Sequence, residues 1–165
     1  MNTLKALLAG LLLLPLTAVG AVTEGQAAPG FALPSLTEEG RTVTLESLRG
    51  KVVYVDFWAS WCPPCLVSFP ILDEIRQEYA DQGFEVLAIN VDEYPEDATD
   101  FLDKKPVSYL VVRDAAGTTP EAYGVPGMPT GFLIDREGNV RKVHKGFRKS
   151  DVPKLRAEIA ELLEE

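Results

Sequence analysis

An apolar run from Lys51 to Trp58, rich in β-branched and aromatic residues, leads through Ala59-Ser60 into Trp61-Cys62-Pro63-Pro64-Cys65. Helical periodicity through Leu72, Ile75 and Tyr79 follows, and Gly83 supplies a stop. A continuous apolar run of that length predicts one buried strand. The joint is therefore strand, tight turn, helix, with both cysteines at the helix N-terminus. Prolines suit that place, because the first helical N–H groups have no partner in any case. A thiol there meets free N–H donors and the positive end of the helix dipole, which favours the nucleophilic thiolate. The two-residue spacing lets one thiol attack a mixed disulfide formed by the other. Cys62, at the tip, is placed to attack, and Cys65, one turn inside, to resolve.

Three blander accounts of the pair compete. A structural disulfide closing so short a loop adds little to a domain with a sizeable core. A zinc half-site lacks ligands, because zinc takes four and the chain holds two cysteines and one histidine, His144. Inert buried thiols leave Trp61 and the paired prolines unexplained. No metal and no organic cofactor is expected.

Beyond the joint the chain alternates strand-like and helix-like stretches. A polar connector (Thr23 to Pro34) precedes a short strand and turn from Thr42 to Leu48. Phe84 to Val91 is a second apolar strand, Glu96 to Lys104 a short helix, and Tyr109 to Val112 another short strand. Gly124 to Pro129 is rich in turn formers. Thr130–Ile134 and Val140–Lys145 flank Asp135-Arg136-Glu137-Gly138-Asn139, a hairpin signature. From Asp151, Leu155, Ile159, Leu162 and Leu163 fall on one helical stripe. The order predicts one α/β domain with a mixed sheet. Its 165 residues, 46% apolar and 25% charged, fit an ordinary globular chain. A formal charge of −9 without a basic stripe argues against nucleic-acid partners.

The first residues have another layout. Lys5 precedes an uncharged apolar run from Ala6 to Val22, broken by Pro15 and ending in small residues at Ala18, Gly20 and Ala21. This predicts a signal peptide over 1–21, cut after Gly20 or Ala21, and a domain over 22–165. An uncleaved anchor is the alternative, since about 20 apolar residues span a bilayer. A core helix would need a polar face, which this run lacks. The expected location is periplasmic or otherwise exported, where disulfides persist.

Val55-Asp56-Phe57-Trp58-Ala59-Ser60-Trp61-Cys62-Pro63-Pro64-Cys65, with Pro70-Ile71-Leu72-Asp73-Glu74-Ile75 behind it, resembles the thioredoxin active-site strand and helix. Pro29-Gly30-Phe31, the Val43-to-Lys51 lead-in, the extra Asp97–Val112 segment and Gly127-Met128-Pro129-Thr130-Gly131-Phe132 resemble the exported TlpA/ResA-like branch. The resemblance runs from Pro29 to Phe147. It implies a thioredoxin-like fold: a mixed central sheet flanked by helices, an N-terminal extension and a short inserted βα segment. It implies that Asp56 moves a proton to or from Cys65, although a purely structural acid bonded to backbone is the alternative. Burial raises the pKa of such an acid. It also implies a cis bond at Met128-Pro129 that presents Met128 backbone to an extended substrate. Trp61, with Pro63 and Pro64, becomes the candidate substrate-facing surface, whereas Trp58 reads as core and Pro126 as an ordinary loop proline. Two positions depart from the pattern. Thr130 stands where cytochrome-maturation members carry Glu, and Ser68 where ResA-like members place an acid.

The resemblance implies an exported reductase of client-protein disulfides, fed by a membrane thiol reductase, with cytochrome c maturation as one setting. A copper or zinc carrier is the alternative from another class, although such carriers add His or Met ligands that are scarce here. A peroxidase of the peroxiredoxin type is disfavoured, because the residues before Cys62 lack its Pro-x-x-x-Thr-x-x-Cys pattern. His144 reads as a surface or packing residue. Glu93, Glu96, Asp97, Asp100 and Asp103 read as a solvated acidic face around a short helix, with no regular calcium loop.

Overall fold

The computed structural model describes residues 20–165. The predicted signal over 1–21 therefore lies outside the described residues, apart from its last two positions. The elements run β1 (Ala32–Pro34), β2 (Thr42–Thr44), β3 (Val52–Trp58), α1 (Pro63–Tyr79), β4 (Phe84–Asn90), α2 (Pro95–Lys104), β5 (Leu110–Arg113), α3 (Thr118–Tyr123), β6 (Thr130–Ile134), β7 (Val140–Lys145) and α4 (Val152–Glu164). β1 and β2 form a small antiparallel pair. The main sheet has the order β5-β4-β3-β6-β7, with β3, β4 and β5 parallel and β6 and β7 antiparallel to their neighbours. This is the mixed, thioredoxin-like α/β sheet, and the inserted segment supplies α2 and the edge strand β5.

β3 and β4 are buried at every residue, as their unbroken apolar runs require of central strands. Alternation along β3 divides the core. Val52, Tyr54 and Trp58 face a cluster with Cys62, Cys65, Phe69, Leu72 and Ile75 of the α1 side and Leu155 and Ile159 of α4. Val53, Val55 and Phe57 face a second cluster with Val43, Tyr123, Phe132 and Val140. Trp58 packs its ring 4.4 Å from Phe69 and 4.9 Å from Phe101 of α2, the core role expected of it. The hairpin turns at Gly138, whose φ of +83° suits glycine.

The stretch expected to be a plain connector, Thr23 to Pro34, is bound to the β7 edge of the sheet, and the two residues that follow it are bound to the β5 edge. Gly25 N–H donates to Val140 O at 2.7 Å, Val140 N–H to Gln26 O at 2.8 Å, and Ala28 N–H to Gly138 O at 2.9 Å. At the far edge Ser35 bridges Val112, and Leu36 N–H donates to Val111 O at 2.7 Å. Among the described residues no helix is long and apolar enough to cross a membrane.

Candidate active site

Parallel β3 and β4 end side by side, Trp58 opposite Asn90, so the segments following them meet at one edge of the sheet. There the chain turns from β3 into α1, and Cys62 occupies the helix N-cap with Pro63 and Pro64 in the first turn. Cys62 and Cys65 are joined in a disulfide, with Cα atoms 5.3 Å apart. Cys65 N–H donates to Cys62 Sγ at 3.3 Å. An N-cap acceptor satisfies helix N–H groups that otherwise lack partners. A thiolate released at Cys62 inherits that donor and the helix dipole. Both cysteines are buried in this oxidised form, Cys65 completely.

Asp56 lies in the middle of β3, 2% exposed, on the face shared with Tyr54 and Trp58. Its cross-strand partners are Ala88 and Gly131, neither with a polar side chain. Asp56 Oδ2 has no hydrogen-bond partner. Burial without a partner pushes its pKa up to about 8, so the carboxyl is protonated at neutral pH. The backbone-bonded structural account of Asp56 finds no bond to that oxygen.

Trp61, at 66% exposure, stands beside exposed Pro63, Pro64, Leu66 and Val67, forming an apolar rim around the buried cysteines. Met128-Pro129 is a cis bond, as the resemblance implied, and Met128 packs against the cluster that holds Cys62 and Cys65. Gly146 N–H fixes Pro129 O at 2.8 Å, and Thr130 Oγ1 donates to Gly127 O at 2.6 Å. Thr130 thus closes its own turn. Ser68 is buried and donates to Cys65 O at 3.1 Å. Pro126 is exposed in the loop.

His144 is part-buried and pairs with Glu158 at 2.8 Å, and the acidic residues around α2 are all exposed. Among the described residues no group of three or more His, Cys, Asp or Glu converges as metal ligands would. One supporting residue was not anticipated. Asp92 is buried beyond β4 and accepts from Ser60 N–H, Ser60 Oγ and Asn90 Nδ2, tying the turn before Cys62 to the neighbouring strand. The available signal was Asn90-Val91-Asp92 closing an apolar run at the edge where the cysteines lie.

A turn-borne Cys-x-x-Cys disulfide at this edge of the sheet, packed on the face of β3 that also carries a buried acid, defines a thiol–disulfide exchange site. The redoxin family matches residues 23–159. The thiol-disulfide oxidoreductase ResA of Geobacillus thermodenitrificans is 39% identical over 133 residues, spanning 80% of this chain and 75% of that protein. ResA of Bacillus subtilis is 37% identical over 125 residues, spanning 76% and 69%. The crystal structure of a Chlorobium tepidum protein assigned as thiol:disulfide interchange protein DsbE superposes with a TM-score of 0.83 at 45% identity, covering 87% of this chain and 99% of that one. The chain belongs to the redoxin family, within the thioredoxin superfamily, and is ResA-like. Its activity is thiol–disulfide oxidoreduction.

Proposed function

We propose that the protein is exported by a signal in residues 1–21 and that its thioredoxin-like domain, 22–165, reduces disulfides in client proteins. The observation that carries this reading is Cys62 Sγ at the N-cap of α1, accepting the Cys65 N–H at 3.3 Å, with buried Asp56 on the same face of the sheet. In the reduced protein the Cys62 thiolate attacks a client disulfide. One client sulfur leaves as thiolate, and the other stays bonded to Cys62. Cys65 then loses its proton to Asp56 and attacks Cys62 Sγ. The second client thiolate departs, and the Cys62–Cys65 disulfide forms. The client gains two electrons and the protein loses two. The step runs from the ionised minority of Asp56 carboxyls, a fraction that grows as the pH approaches about 8, and the raised pKa makes that carboxylate a stronger base. Met128 offers its backbone to an extended client segment, and the rim of Trp61, Pro63 and Pro64 supplies apolar contact.

A membrane thiol reductase restores the dithiol. Disulfide-bearing exported proteins are the clients, and apocytochrome c during cytochrome c maturation is one of them. If the signal is left uncleaved, it tethers the domain to the membrane. Insulin reduction by wild type and by Cys62→Ser tests the activity: loss of the rate in the variant is expected, and equal rates overturn the reading. Cys65→Ala should strand clients on Cys62 as mixed disulfides. Recovering them from the exported fraction identifies them, and their absence there overturns the client reading.

A further inference from the structure

The polar groups on the far side of Asp56 have no part in that scheme. Across the sheet, Ala88, Asp56, Gly131 and His144 form a single row on β4, β3, β6 and β7. The gap at Gly131 is filled from β3 itself: the Tyr54 hydroxyl occupies the space that a Cβ on Gly131 would need. Tyr54, two residues before Asp56, thus brings its hydroxyl to the strand partner of Asp56. The Tyr54 ring stacks on the His144 ring with centroids 5.7 Å apart. His144 Nε2 pairs with Glu158 Oε2 of α4 at 2.8 Å, and Lys154 Nζ lies 3.7 Å from Glu158 Oε1.

The phenol responds to the acids on either side. Burial, then Asp56, then Glu158 raise its pKa well above the ordinary value. It therefore keeps its proton and can accept one hydrogen bond while donating another. Tyr54, His144, Lys145, Phe147, Asp151 and Lys154 line a cavity of about 290 Å³. That cavity adjoins the cis-proline turn, because Gly146 in its wall donates to Pro129 O.

We propose that Tyr54 is the proton route between Asp56 and this cavity, with the His144–Glu158 pair as the exchange point at its outer end. This rests on the reading that Asp56 takes the proton of Cys65. Asp56 must discharge that proton before the next turnover, and its strand neighbours Ala88 and Gly131 have no group to receive it. No hydrogen bond joins Asp56 or Glu158 to the Tyr54 hydroxyl in this oxidised form, so transfer requires a side-chain shift or an intervening water. The Tyr54 oxygen then takes up a proton and the phenolic proton moves on toward Glu158, so one proton is transferred and no electron. The charged groups facing the route are Asp56 of β3, His144 and Lys145 of β7, Glu158 and Lys154 of α4, and Asp151 just before α4.

The test follows a single resolving step. Reduced protein is loaded at Cys62 by exchange with the symmetrical disulfide 5,5′-dithiobis(2-nitrobenzoate), which releases one coloured thiolate, and release of the second by attack of Cys65 is timed across pH, in light and heavy water. Tyr54→Phe keeps the ring and its stack. It should slow release about tenfold, shift the pH midpoint and change the solvent isotope effect. In an Asp56→Asn background, Tyr54→Phe should add nothing, and Glu158→Gln should shift the midpoint in the wild-type background. If Asp56→Asn slows release while Tyr54→Phe and Glu158→Gln match wild type in rate and midpoint, the route is refuted and the role of Asp56 stands. If Asp56→Asn itself matches wild type, the role of Asp56 fails and the route fails with it. If the Tyr54→Phe and Asp56→Asn effects simply add, Tyr54 acts on packing and the route is also refuted. Unfolding midpoints of each variant separate a slowed step from a loosened fold.

Discussion

Asp92 accepts both the backbone N–H and the hydroxyl of Ser60, at 3.1 and 3.2 Å, two residues ahead of Cys62. The turn that presents the nucleophile is therefore held by a side chain from the next strand's end. Asp92→Ala leaves Asn90 Nδ2 unpaired in the interior, while the part-buried Ser60 donors can turn to water, so the cost is about 1–3 kcal/mol for the one buried group left unsatisfied. Urea unfolding should show a drop in this range for the variant. Ser60→Ala, which keeps the backbone donor, should cost less.

The two thiols should behave unequally once reduced. Cys62 sits at the N-cap and is stabilised as thiolate, whereas ionising Cys65 would place a second charge beside the first and away from water. Iodoacetamide near neutral pH, followed by peptide mass analysis, should label Cys62 first and Cys65 far more slowly. Equal slow labelling would favour a purely structural disulfide.

Stability should fall with rising pH because of Asp56. In the unfolded chain its carboxyl ionises near the ordinary value of 3.8, whereas in the folded protein burial holds the proton until about pH 8. Between these values the folded state binds more protons, so raising the pH favours unfolding, by up to about 1.4 kcal/mol per pH unit. Asp56→Asn should flatten the slope and make the oxidised protein more stable at pH 7, by roughly 2–4 kcal/mol. Chemical denaturation at pH 5, 6, 7 and 8 checks both the sign and the window.

Gly131 should tolerate no side chain while Tyr54 is present. A Cβ there overlaps the Tyr54 hydroxyl and ring, so Gly131→Ala forces one of two packed strands to shift, at about 1–3 kcal/mol. Thermal melts of Gly131→Ala, alone and with Tyr54→Leu, should show loss in the single variant and partial recovery in the double.

What the sequence disclosed depends on how local each signal is. β3, β4 and the β6–β7 hairpin are bounded by unbroken apolar runs or by an Asp-to-Asn turn, and they fall within one residue of expectation. The placement of Cys62 and Cys65 at the start of a helix and of Asp56 inside a buried strand was legible, because one strand and one turn fix their relative places. α3 was not anticipated: six residues containing Pro120, between Gly117 and Gly124, are too few to show a period. β1 lies hidden in the connector, because its extended form comes from pairing with β2. Asp92 and the Tyr54–Gly131 fit depend on which residues meet across neighbouring strands. That register is a property of the assembled sheet.

The N-terminal stretch that binds both sheet edges has a consequence for how the chain reaches its fold. Synthesis delivers Gly25 to Leu36 early, and Ala32 to Ser35 find local partners between Arg41 and Thr44, yet the partners in the main sheet and its hairpin, Val111, Val112, Gly138 and Val140, all lie in the final third of the chain. Until those arrive, only the local β1–β2 pair can form, and the edges of β3 and β4 are open templates for another molecule. Loop closure over such separations comes late and slowly. A nascent copy therefore stays threadable for most of its synthesis, and the last strands to emerge shut both borders of the sheet against neighbouring chains.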